Sequence, residues 1–258
     1  ILCYFCFKKE DSIINLGDNM RKKFMIVGLL LLCISAIPLF QMARELIINE
    51  NIKNKYTIEH AYTLENGIGL TVDVQNLEVN GKRIEIVEEP TGKKASLTSF
   101  DEQEGVKAGD VVKLHLLVDG KEISKADEIW LSNRERGGRY YSWLDILKVN
   151  EKTAIVQRLT DDDTVMEKRK WKIIWIDEQG SIKEEKIAYD KRGDNPLAVR
   201  LIGFSGTSLM DMGYKSDILH VYPSIFFPIL YPFGTGIVGI LLCVTGLCIR
   251  KSSVNYTG

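Results

Sequence analysis

The 185 residues between positions 41 and 225 contain no cysteine; all five fall outside, at Cys3, Cys6, Cys33, Cys243 and Cys248. A domain made from that stretch has no disulfide, although exported eukaryotic domains often use them. Concentrated positive charge is missing too. Residues 41–225 carry 27 of the 34 Lys and Arg but 32 of the 35 Asp and Glu, a net charge of −5. A nucleic-acid surface needs clustered Lys and Arg, so that partner class is excluded. Histidine is scarce: only His60, His115 and His220 occur. His115 alternates inside a strand pattern and His220 sits beside an apolar segment, neither with an acidic orienter in the sequence. No repeat and no low-complexity tract is visible. Cys3-x-x-Cys6 lacks a second ligand pair. Asp161-Asp162-Asp163 lacks the spaced ligands, Gly and distant Glu of a calcium loop, and reads as a turn. No cofactor or metal is expected.

Two segments lack charge altogether. Phe24–Phe40 has seventeen residues and follows Arg21-Lys22-Lys23; Phe226–Ile249 has twenty-four and precedes Arg250-Lys251. At about 1.5 Å per helical residue, each approaches or exceeds the roughly 30 Å of a hydrocarbon layer. The overall mean hydropathy of −0.06 averages these segments with a polar middle. Basic clusters on both outer flanks predict cytoplasmic N and C termini, with residues 41–225 extracytoplasmic. The expected place is the cell membrane of a bacterium, within the bacterial envelope, since a cysteine-free exported domain and Ile-, Lys- and Asn-rich composition fit that setting.

The chain begins with Ile, and its first Met is Met20. Gly17-Asp18 can be encoded by a purine-rich ribosome-binding site. The expectation is that residues 1–19 are translated leader and that the protein starts at Met20, with 20–23 as a basic flank. Residues 24–40 are then the first transmembrane helix. No clean A-x-A site follows, and Leu32 stands where a lipobox before Cys33 needs a small residue, so the segment reads as an uncleaved anchor. Residues 41–55 have helical composition and predict a stalk.

From residue 56 to 217 the period changes to two. Leu70, Val72 and Val74 alternate, and Leu77 and Val79 meet Ile84 and Ile86 across Asn80-Gly81, a strong hairpin signal. Val111–Val118 is a clear strand turned by Asp119-Gly120. Lys121–Ile123 and Glu128–Leu131 are short strands. Tyr140–Val149, Thr153–Leu159, Met166–Asp177 and Ser181–Tyr189 are four more. Pro90-Thr91-Gly92 opens a loop to Gly109, with a division into two subdomains near residue 100. The fold class is mainly β: an antiparallel sandwich or barrel-like extracytoplasmic domain between two transmembrane helices.

Aromatic and basic residues supply the candidate binding groups. Trp171 and Trp175 flank Ile173 on one strand face, with Tyr140, Tyr141 and Trp143 on a neighbouring strand. Such a row can stack on sugars of a wall polymer. Ile174 and Ile176 on the opposite face also fit a strand buried on both sides. Arg134, Arg136 and Arg139 surround Gly137-Gly138 and can receive a phosphate or carboxylate. In the second apolar segment, residues 218–232 hold Pro223, Pro228 and Pro232 among Phe226, Phe227 and Tyr231. They read as an interfacial segment, with the regular span over 233–249 and a tail over 250–258. Thr235, Gly239, Cys243 and Gly246 form a small-residue face for helix packing. Its occupant is the first segment, through Gly28, Ser35 and Ala36, or another membrane protein or second copy.

The expected function is a binding or accessory module for an envelope partner: a protein, a wall polymer or lipid, with a transporter or secretion complex as one setting. The alternative is a membrane-anchored extracytoplasmic hydrolase. Ser205-Gly206-Thr207-Ser208-Leu209-Met210 resembles the Gly-Thr-Ser-Met element around the nucleophile of subtilisin-like proteases. That resemblance covers six residues, and the family's aspartate and histidine motifs are absent. The candidate groups of the hydrolase alternative are Ser205 or Ser208, with His220.

Overall fold

The computed structural model describes residues 2–61, 76–97, 102–103, 105, 107–131, 139–140, 142–160, 165–208, 212–220 and 226–248. The chain divides into two compact units, Ile1–Arg44 with Ile218–Gly258, and Glu45–Asp217.

The first unit is helical. Helix α1 runs from Leu2 to Lys55 and contains Pro38. Within this unit its buried residues Gly28, Ser35, Pro38 and Met42 recur at steps of seven, three and four, so one stripe faces inward. Near the other terminus, a wide helical turn spans Ile229–Gly234 and leads into a helix over Thr235–Cys248, numbered α3 in chain order. Asn19–Lys55 and Ile229–Cys248 are both long and apolar enough to cross a membrane.

The second unit is mostly antiparallel sheet. Strands β1 (Ile58–His60), β6 (Leu144–Val149), β7 (Lys152–Arg158), β8 (Lys170–Ile176) and β9 (Ile182–Ala188) form a five-stranded sheet in that spatial order. Strands β2 (Asn76–Val79), β3 (Lys82–Lys94), β4 (Asp110–Val118) and β5 (Lys121–Trp130) form a four-stranded meander. The meander is inserted in sequence between β1 and β6. Asn80 and Gly81 take positive φ of 48° and 70°, and Asp119 and Gly120 of 51° and 75°, so both tight turns use the residue types that tolerate this region.

Several elements differ from expectation. Residues 70–74 lie outside the described residues. Pro90 does not end β3; the register shifts between Pro90 and Lys93, and Thr91 Oγ1 donates to the Val111 carbonyl at 2.5 Å. A bulge interrupts the ladder where proline has no N–H to donate. The polar loop near residue 100 therefore joins two strands of one sheet, and the change of sheet falls between β5 and β6. Lys121–Ile123 and residues 128–130 belong to one strand, β5, interrupted only by register irregularities, and Leu131 lies just past its end. Met166–Lys168 is a 3₁₀ turn before β8.

A helix that the period-two reading does not contain, α2 (Pro196–Phe204), follows the strands. Asn195 caps it, its side chain accepting the Ala198 N–H at 3.1 Å, and Pro196 occupies the first turn. Both start signals stand in the sequence.

Two apolar cores flank the five-stranded sheet. Ile84, Leu114, Leu116 and Ile129 of the meander share one core with Leu144, Ile146, Ile155, Ile174 and Ile176. On the opposite face Leu147, Val156, Trp171 and Ile173 pack with Ala198, Leu201 and Ile202 of α2 and with Ile52 of α1. Buried polar groups tie the sheets together: Gln157 Nε2 donates to the Leu114 carbonyl at 3.3 Å, and Lys172 Nζ donates to the Ile123 carbonyl.

Candidate functional site

The aromatic row does not form a surface. Trp143 is 0% exposed and Trp171 1%, in the two different cores; Trp175 is half-buried against the second. The rings fill space because each is enclosed in one of the two cores, so neither Trp143 nor Trp171 can stack on a glycan. Tyr141 lies outside the described residues, as do Arg134 and Arg136. Arg139 is described, and its fork is occupied. Nε and Nη2 donate to the two Glu88 carboxylate oxygens at 2.6 and 2.7 Å, and Tyr140 Oη donates to Glu88 Oε1 at 2.7 Å. Arg139's hydrogen bond holds the Glu88 carboxyl below its ordinary range, against the opposing effect of burial. The guanidinium expected to receive a phosphate is thus neutralised by β3.

The serine segment faces inward as well. Ser205 is 1% exposed and Ser208 4%. Ser205 Oγ donates to the Ile202 carbonyl at 2.8 Å and meets Thr207 Oγ1 at 2.9 Å. The Thr207 carbonyl accepts from Trp171 Nε1 at 3.2 Å, and that of Ser208 from Arg169 Nη1 at 2.6 Å. A nucleophile must meet substrate; this segment instead satisfies a buried indole and a buried guanidinium. His220 is exposed. Asp161–Asp163 lie outside the described residues.

Both other histidines meet carboxylates on neighbouring strands. His115 Nδ1 lies 2.6 Å from Glu122 and Nε2 3.3 Å from Glu89, across the outer face of the meander. The acidic neighbours that local sequence does not offer come from β5 and β3. His60 meets a buried partner. Its Nδ1 lies 2.9 Å from Asp145 Oδ2, and Phe204 stacks on its ring at 4.5 Å. Asp145 is 3% exposed, and burial raises its carboxyl to about 6, with the contact to His60 acting in the opposite direction. The His–Asp pair sits where α1 hands over to the sheet through β1.

A second polar constellation joins the two ends of the β unit. Glu45, its first residue, is 3% exposed. Its carboxylate accepts three consecutive backbone N–H groups: Tyr214 at 2.6 Å, Lys215 at 2.9 Å and Ser216 at 3.1 Å. Tyr214 Oη adds a bond to Asn49 Oδ1 at 2.8 Å. Asp217, the last residue of the unit, accepts the Gly213 N–H at 3.0 Å, the Arg192 guanidinium at 2.9 Å and the Tyr189 hydroxyl. Burial, then the Asp217 bond, pushes the Tyr189 phenol up to about 12. Gly213 is required, because a Cβ there would collide with the Ser216 carbonyl oxygen. Entrance and exit of the unit are therefore fastened at one spot.

In the helical unit, the expected small-residue face is occupied by α1. A Cβ built on Gly28 would lie 2.7 Å from Cys243 Sγ and 2.8 Å from the Gly239 carbonyl oxygen. One on Gly246 would meet Met25 at 2.8 Å and the Arg21 carbonyl at 3.3 Å, and Thr235 Oγ1 lies 2.7 Å from Ser35 Oγ. The order of these contacts makes α1 and α3 antiparallel. Ala36, expected on this face, is exposed.

These features define a class: a mostly antiparallel β protein with two helices able to cross a membrane. No protein-family model, curated protein or solved structure matches the chain.

Proposed function

We propose that the chain is a two-pass membrane protein that holds an antiparallel β sandwich outside the cell membrane, as a binding or accessory module for an envelope partner. The partner is a membrane protein, a wall polymer or lipid. The observation that carries this reading is the fastening at Glu45 and Asp217. It binds the two connections of the β unit to each other, which suits a module presented from a paired anchor. The antiparallel helix pair supports the same topology, because Gly246 near one basic flank packs against Arg21 in the other. Both flanks then lie on one side, as the bias of Lys and Arg toward the cytoplasm requires.

Labelling with a membrane-impermeant maleimide tests the topology in a chain whose native cysteines are replaced. Asp162→Cys should react in intact cells and Ser252→Cys only after permeabilisation; the reverse pattern overturns it. The full chain in lipid nanodiscs should then retain isolated wall polymer, anionic vesicles or a stoichiometric envelope protein. Retention of none, together with reporter hydrolysis abolished by Ser205→Ala, overturns the binding role in favour of the hydrolase.

A further inference from the structure

We propose that Tyr231 is a register key for the helix pair, giving the Ile34 carbonyl the hydrogen bond that Pro38 removes. The inference rests on the reading that both helices lie in a membrane. In an α-helix the carbonyl of residue 34 accepts from the N–H of residue 38. Residue 38 is Pro, which has no N–H, so the Ile34 carbonyl loses its partner. Water would replace that partner in solution, but hydrocarbon offers none. Tyr231 Oη supplies the donor, 3.2 Å from the Ile34 oxygen.

Tyr231 is free to reach because it precedes Pro232. A residue before proline is driven out of the helical region, and Tyr231 is extended, with φ −143° and ψ 125°. Thr235 braces the break from the other side, donating its hydroxyl to the Pro232 carbonyl at 3.1 Å. That commits its only proton, so Ser35 is the donor in the 2.7 Å link between the two hydroxyls. Pro38 and Pro232 are both buried. The deficit that one proline makes in α1 is met by the side chain that the other proline turns outward. Sliding either helix by a residue would separate Tyr231 from the carbonyl that Pro38 deprives of its donor. The Tyr231–Ile34 bond thus adds a directional contact to the glycine contacts and the Ser35–Thr235 bond that hold this register.

A double-mutant cycle in the full chain, reconstituted in lipid bicelles, measures this. Tyr231→Phe should weaken the helix-pair equilibrium about three- to twentyfold, the range of interhelical hydrogen bonds in membranes. With Pro38→Ala, residue 38 regains an N–H, and the same Tyr231→Phe change should then cost under about twofold. Equal costs in both backgrounds overturn the key. Infrared spectra of a ¹³C-labelled Ile34 carbonyl give a readout that does not depend on unfolding. Tyr231→Phe should shift the band with Pro38 present and leave it in place in the Pro38→Ala background. A band that ignores Tyr231 in both also overturns it. Carbonate extraction separates the two failures. A chain released from membranes refutes the spanning reading, whereas a retained chain with equal costs refutes the key alone.

Discussion

The three central strands of the five-stranded sheet, β6, β7 and β8, are buried on both faces, whereas the four-stranded meander buries one face and charges the other. Six of the seven residues of β7 are buried, and β8 is nearly continuous. In β4, Val112, Leu114, Leu116 and Val118 point inward while Lys113 and His115 meet Glu89 and Glu122 outside. A central layer must satisfy two cores at once, so its side chains carry most of the packing. An outer layer tolerates change on its wet face. The difference also shows that continuous and alternating apolar strands can coexist in one antiparallel unit, although continuous runs are more typical of parallel sheets.

Three substitutions would break or sharpen that contrast. All four tryptophans lie between residues 130 and 175, so their fluorescence during denaturant unfolding reports on the β unit alone. Trp171→Ala should have the largest effect, about 3–5 kcal/mol, since it empties a fully buried site and orphans the Thr207 carbonyl. A loss under about 1 kcal/mol would mean the second core is loosely packed.

Asp145→Asn should come next, and its effect depends on pH. The folded carboxyl titrates near 6, above the unfolded value of about 3.9. The folded state therefore holds its proton more tightly. Stability from this group is present below about pH 4 and is lost as pH rises to about 6, by roughly 2–3 kcal/mol in all. Asparagine removes that decline. A wild-type profile flat from pH 4 to 6 would refute the burial of this carboxyl.

Lys113→Ala should do least. Its ion pair with Glu89 lies on the open face of the meander, where solvent screens it. No shift of the unfolding midpoint is expected; a clear shift would mean that this face is covered.

Legibility follows the range of the interactions. Hairpins at Asn80-Gly81 and Asp119-Gly120 are readable because positive φ restricts the residue types locally. The short strand β1 carries too few residues for a period, and α2 announces itself only through its Asn-Pro start. The candidate groups are harder to read. Arg139 looks available until Glu88, 51 residues away, closes its fork. Trp143 and Trp171 look like one row, but a sheet with two cores sends them to opposite sides. Glu45 gives no signal in a polar stalk, because its donors are backbone groups 169 to 171 residues further on.

The sequence by itself determined that the chain is mostly antiparallel β with two helices, each holding an uncharged stretch, that are long and apolar enough to cross a membrane. Hydropathy, a period of two and tight-turn residues are local properties, and local physics suffices to read them. Only the tertiary structure decided which polar side chains are committed to the fold. Glu45, Asp145, Arg139 and Tyr231 each acquire their role from a partner that nearby sequence does not reveal. A buried polar group must find a hydrogen bond wherever the folded chain brings one, and that place is set by packing, not by composition.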